Sequence, residues 1–339
     1  MGTGLDHYPP QGRRFDVVGV GNAIVDVIAS ADDRFIADQG LVKGSMNLID
    51  EARARQLYDL MGPAIEASGG SAANTAAGVA SFGGSPAYIG KVRDDQLGEV
   101  FTHDMRAAGV AFDVPPGRHG PPTARCLILV TPDAQRTMNT YLGISSLLEP
   151  DDVDAEVVAG ASILFCEGYL WDVASAKAAI RRAMAVARHA GNVVALTLSD
   201  TFCVERHHGE FLDLVSGPVD VLFANEAELK ALFRVPSFEA GLERVRGQVA
   251  LACLTRGARG SLLVTADAVV EVAAEPVAPV VDTTGAGDQY AAGVLFGLAR
   301  HYELEVCGRL GSLAASEVIS HVGPRPRVPL AGLLDHTGS

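Results

Sequence analysis

The chain is short of the features that mark several common functional classes. It has five cysteines, Cys126, Cys166, Cys203, Cys253 and Cys307, and none belongs to a C-x-x-C pair. An odd number of widely spaced thiols excludes a disulfide framework and a zinc ribbon. Four lie in or beside apolar runs, where cysteine behaves as a small buried hydrophobe. A reducing, cytoplasmic setting is the expectation. Basic residues are also scarce, 27 against 41 acidic, for a formal net charge of −14. Such a surface repels nucleic-acid phosphates and anionic lipid, so neither is expected as a partner. No stretch of about 18 uncharged apolar residues is present, which argues against a membrane span. MGTGLDHYPPQGRRF has no apolar run before Phe15 and does not read as a signal peptide. There is no Gly-x-x-x-x-Gly-Lys-Ser/Thr loop and no H-E-x-x-H or His-x-x-x-His metal motif, and His207-His208 reads as a surface pair. Gly19-Val20-Gly21 lacks a third glycine and runs into more strand, so the dinucleotide fingerprint fails on context.

What is present is a large core and a regular alternation. The 339 residues are 48% hydrophobic, enough for one large domain with insertions. Short continuous apolar runs at Ile163–Cys166, Val193–Leu198, Val219–Phe223 and Val249–Leu254 predict buried strands. Between them Val173–Ala190, Glu226–Phe233 and Phe238–Arg246 carry helical spacing. Buried strands separated by amphipathic helices predict a doubly wound α/β fold, with a mostly parallel central sheet and helices on both faces. Residues 27–50 and 111–142 break the pattern, reading as extended pieces and turns, with a hairpin formed by Thr123–Val130 and Arg136–Leu142. They predict a small β-sheet lid able to shield a site from water. The domain is expected over residues 15–325, with 1–14 and 331–339 as loose termini.

Five segments could carry chemistry. Asp282-Thr283-Thr284-Gly285-Ala286-Gly287-Asp288 precedes a helical pattern over Gln289–Arg300. Its Gly-Ala-Gly turn would expose free N–H groups at a helix start, which is an anion site. A carboxylate beside an anion site suits a base that takes a hydroxyl proton while the N–H groups hold a transferring phosphoryl; a plain Gly-rich turn with a helix-starting Asp is the alternative. Gly69-Gly70-Ser71-Ala72-Ala73-Asn74 opens a helix of small residues that a ligand could approach closely, or else a tightly packed helix with ordinary caps. Asn225-Glu226-Ala227-Glu228 follows a strand and fits either a phosphate and Mg²⁺ neighbourhood or a capping box, and the two are compatible. Asn22 and Asp26 at a strand end suit hydroxyl binding or turn chemistry. Thr255-Arg256-Gly257-Ala258-Arg259-Gly260 fits a hairpin turn or a loop edging a nucleotide, and Arg136 could be a surface charge or reach a phosphate.

In their order and spacing these segments resemble the two signatures of the ribokinase-like (PfkB) carbohydrate kinases, with the Asn-x-x-Glu element between, from Phe15 to Gly323. The resemblance implies ATP and Mg²⁺. It implies Asp288 as the base, Gly285, Ala286 and Gly287 as the anion hole, and Asn225 and Glu228 as organisers of Mg²⁺, Glu228 through water. It places Thr255, Gly257 and Gly260 beside the nucleotide. Asp282 and Thr284 resemble residues that hold a monovalent cation, such as K⁺, in some members. Within the family the chain is most similar to the adenosine kinases, which implies Asn22, Asp26, Gly70, Ser71 and Asn74 around a ribose. It also implies Tyr169 against a base and Arg136 on a phosphate. Met46 stands where eukaryotic adenosine kinases place a glutamine, which bears on base specificity. Ribose, fructose or another nucleoside is the alternative acceptor, and some relatives form dimers through the lid where others are monomers.

Overall fold

The computed structural model describes residues 9–133 and 135–337; residues 1–8 of the expected arm, Ala134 of the hairpin turn and residues 338–339 lie outside them. The strands are β1 (Phe15–Val20), β2 (Ile24–Ser30), β3 (Met46–Leu48), β4 (Ala64–Gly69), β5 (Pro86–Ile89), β6 (Ala124–Val130) and β7 (Arg136–Tyr141), then β8 (Ala161–Glu167), β9 (Val193–Thr197), β10 (Val221–Asn225), β11 (Leu251–Thr255), β12 (Ser261–Val264) and β13 (Val269–Val272). The large sheet runs β13-β12-β11-β10-β9-β8-β1-β5. It is parallel from β5 to β11, and β12 and β13 close it as an antiparallel edge.

The strands of this sheet are buried on both faces. Along β1, Val18 and Val20 enter one apolar layer while Val17 enters the other; along β8, Leu164 and Cys166 part from Ile163 and Phe165 in the same way. Helix Ala174–His189 contributes Ile180, Ala183 and Met184 to the first layer. Helices Ser71–Ser81 and Ala286–Ala299 fill the second. Both contain many small residues and pack closely: a Cβ at Gly78 would overlap the Gln289 side chain, and one at Gly293 would overlap the Leu310 backbone.

The second sheet runs β3-β7-β6-β2-β4. Its period-2 alternation divides two roles. Val27 and Leu127 face away from the cavity described below and pack with Leu57 of helix Glu51–Leu60. Their neighbours Ile24, Asp26, Cys126, Ile128, Met138 and Thr140 line the cavity. The structure departs from the expected segment in three ways. Strand β4 joins the sheet from outside it, a helix forms at Asp33–Asp38 capped by Asp32, and residues between Ala111 and Thr123 contribute no strand to it.

The termini depart further. Pro9 and Pro10 are tied to the body by His301 Nε2 and Ser162 Oγ at 2.7 Å each. Leu330–Thr337 is a 3₁₀ helix, not a frayed tail; fully buried Leu330 joins Phe82, Phe296 and Leu310.

Candidate active site

Parallel strands end on one edge, and in open α/β sheets that edge is where ligands sit. Here β8, β9, β10 and β11 end at Glu167, Thr197, Asn225 and Thr255, all on the wall of one cavity of about 690 Å³. The small sheet forms another wall with Met46, Leu48, Ile128 and Met138, and the starts of helices Ser71–Ser81 and Ala286–Ala299 form a third.

The two expected signatures meet inside it. Helix Ala286–Ala299 begins at Gly285, whose φ of 79° is left-handed. A Cβ at Gly285 would lie 2.6 Å from Pro324 Cα, so only glycine fits. A Cβ at Gly287 would meet nothing within 4 Å, so the cradle is open at that point. Gly285 and Gly287 line the cavity; Ala286 supplies backbone beside them. The Ala286 N–H donates to the Thr283 carbonyl at 3.2 Å, so the N–H groups of Gly285 and Gly287, with the positive end of the helix, are the ones that suit the phosphates of a nucleotide. Asp288 stands in the first turn. Its Oδ1 accepts from Ser71 Oγ at 2.6 Å and its Oδ2 from Asn74 Nδ2 at 3.1 Å. Burial raises its pKa, and those two bonds and the charge of Arg325 oppose the rise.

Gly70, with φ 97°, turns the chain into helix Ser71–Ser81, and a Cβ there would overlap the Asn22 carbonyl. Asn22, expected to face a ligand, is held by protein: its Nδ2 donates to Glu167 Oε1 at 2.9 Å and its Oδ1 accepts from Ser145 Oγ at 2.9 Å. Glu167 also accepts from the Ala72 N–H at 3.0 Å, yet burial still pushes its carboxyl up to about 7. Asp26 differs. It lines the cavity and, among the described residues, no protein donor bonds its carboxylate. Burial pushes Asp26 to about 7, with Arg325 and then Arg136 pulling it down and Asp288 adding to the rise. Tyr169 lines the cavity with its hydroxyl on the Ser199 carbonyl at 3.2 Å.

On the other side Asn225 and Glu228 complete a capping box: the Asn225 side chain accepts from the Ala227 and Glu228 N–H groups, and Glu228 accepts from the Asn225 N–H at 2.9 Å and its Nδ2 at 2.6 Å. Both still line the cavity, and burial pushes Glu228 to about 7. The cap and a cavity-facing role coexist. Thr255 lines the cavity, but Gly257 and Gly260 do not; they form the turn between β11 and β12, where a Cβ on Gly260 would overlap the Val272 carbonyl.

Asp282, expected beside a monovalent cation, is engaged by protein groups. Its carboxylate accepts from Thr284 N at 3.0 Å, Thr284 Oγ1 at 2.8 Å and Gly323 N at 2.9 Å. Arg136 Nη2 lies 2.7 Å away, a contact of charge without an aligned hydrogen bond, with both side chains under a tenth exposed. The Arg136 guanidinium therefore balances the Asp282 charge. Arg136 is thereby withdrawn from the cavity wall, and its ion pair ties β7 of the small sheet to the second signature. Of this pair only Thr284 lines the cavity.

Sequence reasoning missed Glu167, Ser145, Gln289 and Arg325. Glu167 had a signal, a single acid at the end of the apolar run Ile163–Cys166. Arg325, in an irregular stretch after Gly323-Pro324, had none. Among the described residues no group of three His, Cys, Asp or Glu side chains could hold a metal. Among the described residues no helix is long and apolar enough to cross a membrane.

Comparison with known proteins agrees with this geometry. Residues 65–330 match the profile of the pfkB family carbohydrate kinases. The adenosine kinase of Sinorhizobium meliloti is 52% identical, with a TM-score of 0.90, covering 96% of this chain and 100% of that one. A probable sugar kinase protein of Rhizobium etli CFN 42 is 49% identical at the same TM-score, covering 96% and 99%. A 5-dehydro-2-deoxygluconokinase of Shouchella clausii is 26% identical over 91% of both chains. The chain belongs to the PfkB family of carbohydrate kinases and is an ATP-dependent phosphotransferase acting on an alcohol group.

Proposed function

We propose that the acceptor is adenosine, phosphorylated at its 5′-hydroxyl to give AMP and ADP. The observation that carries this is the cavity's mixed lining. Asp26, with no protein donor on its carboxylate, offers acceptors for a vicinal diol. Met46, Leu48, Ile128, Met138 and Tyr169 line the same cavity and supply an apolar and aromatic slot suited to a nucleobase. A free sugar would leave that slot unfilled. The similarity to an adenosine kinase along nearly the whole chain supports the same reading.

Asp288 would take the proton of the 5′-hydroxyl as the phosphoryl group reaches that oxygen. Ser71 and Asn74 fix the carboxylate's rotation so that its remaining lone pairs face the cavity. ATP supplies the phosphoryl group. The N–H groups of Gly285 and Gly287 are placed to hold the charge that builds up during transfer. The small sheet would act as a lid, and its apolar inner face would keep water from competing for the phosphoryl.

A second reading is a free-sugar acceptor, favoured by the description of the Rhizobium etli relative as a probable sugar kinase. An ADP-release assay with ATP and Mg²⁺ across adenosine, inosine, guanosine, cytidine, ribose and fructose separates the two. Adenosine is expected to exceed the rest; preference for ribose or fructose would replace it and leave the apolar slot without a role.

A further inference from the structure

The segment Gly323-Pro324-Arg325 binds the two signatures together. The Gly323 N–H donates to Asp282 Oδ2 at 2.9 Å. Gln289, fully buried in helix Ala286–Ala299, donates at 3.0 Å both to the Pro324 carbonyl and to the Asn74 carbonyl. This strap delivers Arg325 behind the first signature. Arg325 Nε donates to Asn74 Oδ1 at 3.2 Å, Nη1 donates to Ser68 Oγ at 2.6 Å, and Nη2 lies 3.3 Å from Met105 Sδ.

Two features separate Arg325 from an ordinary structural arginine. First, its direct partners are all neutral. Among the described residues no carboxylate is within ion-pair reach of it, although Asp26, Asp104 and Asp288 all act on its charge. A guanidinium taken out of water normally recovers the cost through a bidentate carboxylate. Here its field is left to act across the cavity. Second, it fixes an amide. Asn74 has a donor-only group on one side and a carboxylate on the other, so Oδ1 must face Arg325 and Nδ2 must face Asp288. Without Arg325 the amide loses the partner that holds it.

We propose that Arg325 is a positioning residue for phosphoryl transfer: through Asn74 it aims the Asp288 carboxylate, and it is the buried cation that Asp288 and Asp26 share. The assignment rests on the reading of Asp288 as the base. The groups that face each member are accounted for. Asp288 meets Ser71, Asn74 and the charge of Arg325, and lies near enough to Asp26 and Glu167 for their charges to oppose its own. Asp26 meets Arg325 and Arg136, opposed by Asp288. Arg325 meets Asp26, Asp104, Tyr88 and Asp288, while burial pulls its own pKa down. Burial drives both acids toward the neutral form, the Arg325 charge opposes it most at Asp26, ahead of Arg136, and it is the charge opposing it at Asp288. Removing it must therefore raise the pH at which the base becomes ionised.

The test measures kcat and kcat/KM against pH for the wild type, Arg325→Gln, Arg325→Lys and Asp288→Asn, with thermal melting of each and the acceptor the wild type turns over best. Arg325→Gln is expected to move the acid limb upward by about one pH unit. Arg325→Lys should leave the limb near its wild-type position and lower kcat about tenfold, because one ammonium cannot serve Asn74 and Ser68 together. A folded Arg325→Gln with the wild-type limb and kcat overturns the assignment. If Arg325→Gln does not fold, Arg325→Lys decides, and a wild-type kcat overturns it. An active Asp288→Asn overturns the base reading and this assignment with it, whereas an inactive Asp288→Asn beside an unaltered Arg325→Gln overturns the assignment alone.

Discussion

The acids of the cavity are distinguished by what bonds them. Glu167 is held by three protein donors, Glu228 by a capping box and Asp288 by two side chains, and all three are thereby committed in direction. Asp26 lines the cavity and, among the described residues, accepts from no protein donor, which makes it the carboxylate left to take ligand hydroxyls. Asp26→Asn should therefore lower acceptor kcat/KM by about 10–100-fold, the worth of a hydrogen bond to a charged group, with ATP affinity little changed. The same substitution should act on stability in a pH-dependent way. The folded-state pKa of Asp26 is raised to about 7, so the stability it gives is complete below its unfolded value near 4 and is lost as pH climbs from there to about 7. Asp26→Asn should raise the melting temperature at pH 8 and change it far less at pH 4, where little of that loss has occurred. An equal shift at both pH values would contradict the burial argument. At this scale the sequence identified the right residue types but not their partners. Asn22 and Asp282 were legible as polar groups at chain turns, yet their occupation by Glu167 and Arg136 depends on contacts 145 and about 146 positions away, which no local pattern reveals.

At the level of elements, the site depends on how closely helix Ala286–Ala299 can sit against its neighbours. Gly293 faces the backbone at Leu310 and Gly311 of helix Leu304–Ile319, and a Cβ has no side chain to push aside there. Gly293→Ala is expected to destabilise the protein by about 1–3 kcal/mol, the usual cost of overpacking, and to lower kcat as the anion cradle at the helix start shifts. Urea unfolding and steady-state kinetics on one preparation check both; a variant as stable as the wild type would show that the two helices have slack. The elements that sequence patterns revealed are those whose burial follows a period. Continuous apolar β8, β9, β10 and β11 and helices Ala174–His189, Glu226–Phe233 and Phe238–Val245 appear within two residues of expectation, whereas helices Thr201–Arg206 and His208–Val215 were not anticipated. Strand β4 was hidden because Ala64–Gly69 has its first residues exposed and ends in Ser68 and Gly69, so neither alternation nor a buried run marks it. The terminal 3₁₀ helix was hidden because its burial comes from Phe82 and Phe296, far away in the chain.

For the molecule as a whole, the site makes the fold less stable as pH rises. Asp26, Glu167 and Glu228 are each raised to about 7 by burial. A carboxyl with a raised folded-state pKa gives stability that is complete below its unfolded value near 4 and lost as pH climbs through the folded value. The formal charge of −14 adds self-repulsion in the same direction. The ligand-free protein should melt at a higher temperature at pH 5.5 than at pH 8, and a flat or opposite profile by scanning calorimetry would contradict the burial of these acids. Ion pairs such as Lys43–Asp133, which lower the Asp133 pKa to about 2, stay intact across that range and do not reverse the trend. The global architecture was the most legible level of all, because alternating buried strands and amphipathic helices leave few other arrangements.

The central claim is that one carboxylate, Asp288, turns this cavity into a nucleoside 5′-kinase. The most direct measurement follows adenosine turnover by the wild type and by Asp288→Asn under the same conditions, and locates the phosphate in the product by ³¹P NMR. The account predicts AMP phosphorylated at the 5′-oxygen from the wild type, and a loss of at least about 100-fold in Asp288→Asn at unchanged fold, in line with the usual general-base contribution. A folded Asp288→Asn retaining more than about a hundredth of the activity, or a phosphate on any other oxygen, would contradict it.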